Sequence, residues 1–284
     1  MTGAYRVRAM RRDELDFAIG LAANEGWNPG VHDADAFFAT DPGGFLVGLL
    51  DEVPIGCISA VRYGRSFGFL GFYIVAPEYR GRGYGLLLWN SALEQFGARN
   101  IGLDGVKEQQ ANYRKSGFSL AYSNIRYAWH KRLQSGHAGT HNVVSVGHVD
   151  AGSIARYDRL CFPASRPTFL AVWLNQPGSV ALTWWENDTV RGYGAIRRCR
   201  DGWKVGPLFA DNRKIAESLL LALNSKTADE EPVYLDVPEA NIEAMRLAAD
   251  LGMQEIFGTA RMYNHYLPDI ATERIFGVTT FELG

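Results

Sequence analysis

The sequence has 284 residues, 47% of them hydrophobic and 21% charged, the balance of a globular chain long enough for one large domain or two ordinary ones. Its 29 basic and 31 acidic residues leave a net charge of −2, so no global field recruits nucleic acid or an anionic membrane. Three cysteines, Cys57, Cys161 and Cys199, are widely separated and odd in number, which argues against a disulfide framework or a zinc site and for a reducing compartment.

No apolar run approaches the roughly 18 residues of a membrane span, and residues 1–12 are followed by no signal-peptide core, so a cytoplasmic protein is expected. Residues 5–10 alternate as a strand, and Asp13 can cap a helix carried by Leu15, Phe17, Ala18, Leu21 and Ala22. That helix stops near Gly26, in a loop that sets Glu25 and Trp27 among the turn formers Asn28, Pro29 and Gly30. A second helix over 33–40 ends at the turn 41–44, and strands follow at 45–50 and 55–63.

The long apolar stretch Phe67–Val75 reads as a buried strand closed by Ala76 and Pro77. Next come Arg80, Gly81, Arg82, Gly83, Tyr84 and Gly85, and then Leu86, Leu87, Trp89, Ala92, Leu93 and Phe96 at helical spacing. A strand, a glycine turn and a helix start turn backbone N–H groups toward one point, which suits a pyrophosphate. The P-loop needs Gly-Lys followed by Ser or Thr, which is missing, and Leu86 stands where a dinucleotide fingerprint needs its third glycine. A strand at 101–106 and a helix ending in Tyr113, Arg114, Lys115, Ser116, Gly117 and Phe118 come next, then two short strands at 119–124 and 125–130.

The pattern Arg-x-x-Gly-x-Gly at Arg80, Gly83 and Gly85, followed at the right distance by Tyr-x-Lys-x-Gly-Phe at Tyr113, Lys115, Gly117 and Phe118, resembles the acyl-coenzyme A core of the GNAT superfamily of N-acetyltransferases. The resemblance implies that Arg80, Gly81, Arg82, Gly83, Tyr84 and Gly85 hold the pyrophosphate of acetyl-CoA. It implies that backbone N–H groups near Ile74 and Val75 polarise the thioester carbonyl, and that Tyr113 protonates the departing thiolate. A small-molecule primary amine would attack directly, with no metal and no enzyme-bound acyl group. Cys57 and Cys161 lack a His and Asn pattern and read as buried structural residues. One departure is Val106, where the family often has asparagine; Asn112 is not a safe substitute.

By the same resemblance the Glu25–Trp27 loop either packs the first helix on the sheet or forms a wall of the acceptor pocket, with Glu25 orienting or deprotonating the amine. Asp104 and Asp236 are further candidates at the acceptor, and the general base stays open among Glu25, Asp104, Asp236 and a water. Two alternatives stand beside this reading: a non-catalytic acyl-CoA sensor or scaffold, and acetylation of a protein lysine or N-terminus.

Residues 135–142 are polar and aperiodic, a linker between a catalytic domain at 1–134 and a second unit at 143–284. The spacing of His137 and His141 would suit a helical metal pair, but Gly136 and Gly139 argue against the helix. Beyond the linker the order of elements repeats: a strand at 143–146, helices at 153–160 and 168–174, strands at 180–185, 190–198 and 203–209, a helix at 213–223 and a strand at 233–236. Asn241, Ala244, Leu247, Gly252 and Met253 echo the end of the first core. The expected fold is therefore α/β with a mixed sheet: two tandem GNAT-like copies, the second degenerate. Residues 208–212 contain no glycine, Asp211 would repel a phosphate, and Ala248 stands at the tyrosine position. Segments 162–167, 206–210 and 276–282 resemble the accessory domain of holothin-acyltransferase-like proteins. Arg166, Arg197, Asp236 and Arg261 either line the cleft between the halves or form structural ion pairs, and the acceptor pocket is expected at that cleft.

Overall fold

The computed structural model describes residues 4–130, 140–227 and 231–284, so residues 135–139 of the expected linker, with His137, lie outside it. The first half runs β1 (Tyr5–Ala9), α1 (Leu15–Asn24), α2 (Asp33–Thr40), β2 (Phe45–Leu50), β3 (Val53–Tyr63), β4 (Phe67–Val75), α3 (Tyr84–Phe96), β5 (Asn100–Val106), α4 (Gln110–Lys115) and β6 (Ser119–Trp129). The second repeats that order as β7 (Val143–Ser145), α5 (Ala151–Cys161), α6 (Pro167–Trp173), β8 (Val180–Glu186), β9 (Thr189–Arg198), β10 (Trp203–Ala210), α7 (Arg213–Asn224), β11 (Val233–Pro238), α8 (Ile242–Asp250) and β12 (Gln254–Tyr263), and closes with β13 (Ile275–Gly277).

All these strands join in one sheet of order β1-β2-β3-β4-β5-β12-β6-β11-β10-β9-β8-β7, with β13 paired to β10. The order is palindromic because the last strand of each half crosses over: β12 lies against β5 and β6 against β11. Residues 119–130 were expected as two strands; they form one, β6. Ser123 and Asn124 are turn formers, but pairing with β11 and β12 of the other half runs through them without a break. A core cluster likewise runs through both halves, with Phe37 of α2 stacked on Trp173 of α6 at 6.0 Å.

The side chains of a strand alternate between faces, so the crossed strands present one polar face at the seam. Asp104 of β5 pairs with Arg261 of β12 at 2.7 Å, Asp236 of β11 with Arg126 of β6 at 2.6 Å, and Asp33 of α2 with Arg197 of β9 at 2.8 Å. Each pair joins one half to the other, and each side chain in them is at most 5% exposed. Arg166 is bound to Asp158 at 2.8 Å and donates to the Gly284 carbonyl and to Thr279. Arg166, Arg197, Asp236 and Arg261 therefore act as struts. Burial pushes the Asp104 carboxyl up despite Arg261, whereas at Asp236 burial is outweighed by Arg126 and the carboxyl is held down. Removing one member of such a pair strands a buried charge: Arg261→Met is expected to cost roughly 3–5 kcal/mol. A urea titration measures it, and an unchanged midpoint would remove Arg261 from the seam's stability.

The chain after β12 explains why the halves differ. In the second half β10 and β11 pair only over Trp203–Val205 and Val233–Leu235. Beyond that point β13 enters and pairs with β10 at Leu208 and Phe209, and Val278 donates its N–H to the Asp236 carbonyl. The tail then passes into the first half, where the Tyr63 hydroxyl donates to the Leu283 carbonyl at 3.0 Å. A side chain at Gly71 of β4 would meet the Glu282 carbonyl at 2.1 Å, so the tail lies directly on that strand.

Candidate active site

In the first half the equivalent gap stays open. β4 and β5 pair in parallel only from Phe67–Leu70 to Asn100–Leu103, and β12, not a neighbour from the same half, takes the far edge of β5. Past Leu70 the pairing of β4 with β3 shifts register between Cys57 and Ser59, and Phe72 takes a φ of +49°, a strained conformation for an aromatic residue. Such strain costs on the order of 1–3 kcal/mol and clusters at functional sites. Here it turns β4 away from β5 and opens a cavity of about 380 Å³.

The cavity's walls come from both sides of the splay, Gly71–Val75 and Leu103–Val106, from Arg80, Gly81 and Gly85 of the glycine turn, and from Tyr113. Gly81 and Gly83 have φ of +74° and +85°, and space is open where their side chains would be. Gly83 precedes α3 with no side-chain cap, leaving the first-turn N–H groups unmatched by side chains. The second half differs at each point. Asn212 caps α7, its Oδ1 accepting from Ile215 N at 3.1 Å, and Asp211, where the first half has Arg82, accepts from Tyr157 at 2.9 Å. Ala248 is wholly buried in the core of that half. Of the two equivalent turns only the first is glycine-rich and uncapped, and the space beside its glycines fits a pyrophosphate.

Tyr113 is placed by packing. Its ring stacks on Trp89 at 5.5 Å and lies against Gly105, where a Cβ would come within 2.1 Å of it. Burial pushes its phenol well above the ordinary tyrosine value, with Tyr73 adding to the shift. Arg80 donates to the Val75 carbonyl at 2.7 Å and is ion-paired with Glu25, so turn and loop meet at the cavity edge. Ile74 and Val75 line the cavity; Arg82, Gly83 and Tyr84, the other residues of the turn, are not among those that line it. Asn112 is turned away, bonded to Gln109 at 2.7 Å, and Val106 lines the cavity.

Trp27 lines the cavity and also packs against the core. Its loop is held from both halves: the Trp27 carbonyl accepts from Arg126 of β6 at 2.7 Å, and the Asn28 carbonyl from Lys204 of β10 at 2.8 Å. Lys204 is 2% exposed, and its ammonium is pushed below the usual lysine range by burial and by Arg126. Asp104 reaches the cavity wall, but its carboxylate is engaged by Arg261 and Asn124, and Asp236 lies away from the cavity. Sequence reasoning missed Phe257 and Thr259 on β12 and Phe281 on the tail, which complete the wall, and Arg126, whose guanidinium lies 4.8 Å from the Phe281 ring. Only the strand exchange and the tail that follows it bring Phe257, Thr259 and Phe281 of the second half to the first half's cavity, and nothing in local pattern signals that exchange.

Two models of acetyltransferases match the chain: the acetyltransferase (GNAT) family over residues 8–118 and an acetyltransferase (GNAT) domain over residues 154–277. A curated relative, the holothin acyltransferase of Pseudoalteromonas sp. (strain SANK 73390), is 31% identical over 96% of this chain and 92% of its own length. The chain belongs to the GNAT family of acyltransferases. Among solved structures, a putative acetyltransferase from Pyrococcus horikoshii shares the fold with a TM-score of 0.84 at 22% identity, covering 99% of this chain and 96% of that one. A tandem GNAT protein from the clavulanic acid biosynthesis pathway covers 92% of this chain and 98% of its own at a TM-score of 0.61 and 13% identity. Both GNAT copies are thus accounted for, and the chain's open, glycine-lined splay lies in the first.

Proposed function

We propose that the protein transfers an acetyl group from acetyl-CoA to the primary amine of a small molecule with a flat apolar body. The observation that carries this reading is the convergence on one cavity of the uncapped glycine turn, the splayed edge of β4, the Tyr113 ring and an aromatic wall. Acetyl-CoA supplies the activated thioester. Arg80, Gly81, Gly83 and Gly85 hold its pyrophosphate, and the backbone of Ile74 and Val75 faces its carbonyl. Tyr113 donates a proton to the leaving sulfur, and its raised pKa keeps that proton available across the neutral and alkaline range.

Trp27, Phe72, Phe257 and Phe281 supply flat apolar surface for the acceptor's body. Of the expected acids, Glu25 is the one that both lines the cavity and keeps part of its carboxylate exposed, at 31%. It is assigned to orient the amine and receive its proton. The relative that bears the name holothin acyltransferase supports acyl transfer. Thiol release from acetyl-CoA, followed with an amine panel and a lysine-containing peptide, tests the proposal. The expected result is release that depends on an aromatic amine. Tight acetyl-CoA binding with no amine-dependent release would leave a sensor, and release with the peptide alone would make the acceptor a protein.

A further inference from the structure

The tyrosines around the start of α3 are not equally engaged. Tyr5 stacks on Tyr84 at 4.7 Å, and its hydroxyl donates to the Tyr84 carbonyl at 3.2 Å. Tyr73 of β4 packs on Trp89 at 5.3 Å, as Tyr113 does, and both of these tyrosines line the cavity. The Tyr73 hydroxyl has no hydrogen-bond partner among the described residues, yet it is not sealed in the core as the unpartnered Tyr122 and Tyr263 hydroxyls are. Tyr73 is only partly buried, so its hydroxyl keeps accessible surface beside the cavity.

Gly85 marks where that hydroxyl lies. Gly85 is the second residue of α3 and lines the cavity, and a Cβ there would come within 2.8 Å of Tyr73 Oη. Glycine at this position leaves room for a phenol oxygen at the helix start, where the first-turn N–H groups have no side-chain cap. Burial raises the Tyr73 phenol above the ordinary tyrosine value, so it keeps its proton and can donate at neutral pH. β10, the counterpart of β4, carries no hydroxyl side chain between Trp203 and Ala210, and the helix after it is capped by Asn212. The free phenol and the uncapped turn occur together, in the half whose gap is open.

We infer that Tyr73 is a cofactor-binding residue whose hydroxyl donates to a pyrophosphate oxygen of acetyl-CoA at the start of α3. Phosphate oxygens only accept, and their charge makes such a bond stronger than one between neutral groups. This rests on the acetyl-CoA reading above and deepens it, adding a side-chain donor from β4 to the backbone donors of the turn. It also divides the two tyrosines on Trp89: Tyr73 holds the phosphate end of the cofactor, and Tyr113 serves the sulfur.

Tyr73→Phe removes the hydroxyl and keeps the ring on Trp89. Coenzyme A and dephospho-coenzyme A, which lacks the 3′-phosphate but keeps the pyrophosphate, serve as probes in isothermal titration of the whole protein. Both dissociation constants are expected to rise roughly 10-fold, the worth of one hydrogen bond to a charged group. The melting temperature is expected to stay, because the lost hydroxyl has no internal partner. Unchanged dissociation constants overturn the assignment, and a fall in kcat at saturating acetyl-CoA with affinity unchanged would move the hydroxyl to the reacting end. A loss confined to coenzyme A also overturns it, by placing the hydroxyl at the 3′-phosphate, as does a melting temperature that falls in step with affinity. If the wild-type protein binds neither probe, the acetyl-CoA reading itself fails and the assignment falls with it. That outcome is read on the wild type alone and so is distinguishable from failure of the Tyr73 assignment.

Discussion

A chain ending at Arg274 is expected not to fold. The deleted tail buries Ile275, Phe276, Val278, Phe281 and Leu283, none more than 7% exposed, between the two halves. At about 1.5–3 kcal/mol for each fully buried apolar side chain, the loss is on the order of 10 kcal/mol. That is comparable to the whole stability of a typical protein, about 5–15 kcal/mol. The deletion also takes Gly284 and Thr279 from Arg166, which leaves donors of a buried guanidinium without acceptors. Soluble yield and a far-ultraviolet melt measure the effect. A cooperative melt near that of the full chain would show that the tail is an accessory and that β10 and β11 close without it.

The second large effect is expected from Tyr113→Phe. The ring's contacts with Trp89 and Gly105 survive, so acetyl-CoA affinity stays, while kcat falls roughly 10²-fold because only the proton donor is gone. The pH profile gives an independent check. A phenol raised by burial does not ionise near pH 10 as an ordinary tyrosine does, so wild-type activity should show no loss through that range from this group. Equal rates for wild type and variant at every pH would remove Tyr113 from the mechanism. A loss of affinity matching the loss of rate would make it a binding residue.

Much of this was legible in the sequence, because it is local. The strand, glycine turn and helix of residues 67–96 need only hydrophobic period and φ > 0 glycines to be read, and the structure puts φ of +74° and +85° at Gly81 and Gly83. The repeat in the second half is legible for the same reason, and so is the loss of its loop, since residues 208–212 hold no glycine and Asp211 would repel a phosphate; the structure adds the Asn212 cap. What could not be read depends on which strands meet. No residue in β6 or β12 says that each pairs with the other half. The acceptor wall of Phe257, Thr259 and Phe281, the strut Arg126–Asp236 and the tail that fills the second gap all follow from that exchange. Asp104 and Asp236, expected at the acceptor, both face arginines rather than a substrate.

We propose that one of two homologous gaps is open for acetyl-CoA, while the chain's own tail fills the other. Isothermal titration of the whole protein with acetyl-CoA tests it most directly, because stoichiometry needs no knowledge of the acceptor. One molecule per chain is predicted, and none for Gly83→Asp. Aspartate tolerates the left-handed conformation at Gly83 and meets no neighbouring atom there, so it would repel the pyrophosphate without disturbing the fold. Two molecules per chain, or one that survives Gly83→Asp, would contradict the account.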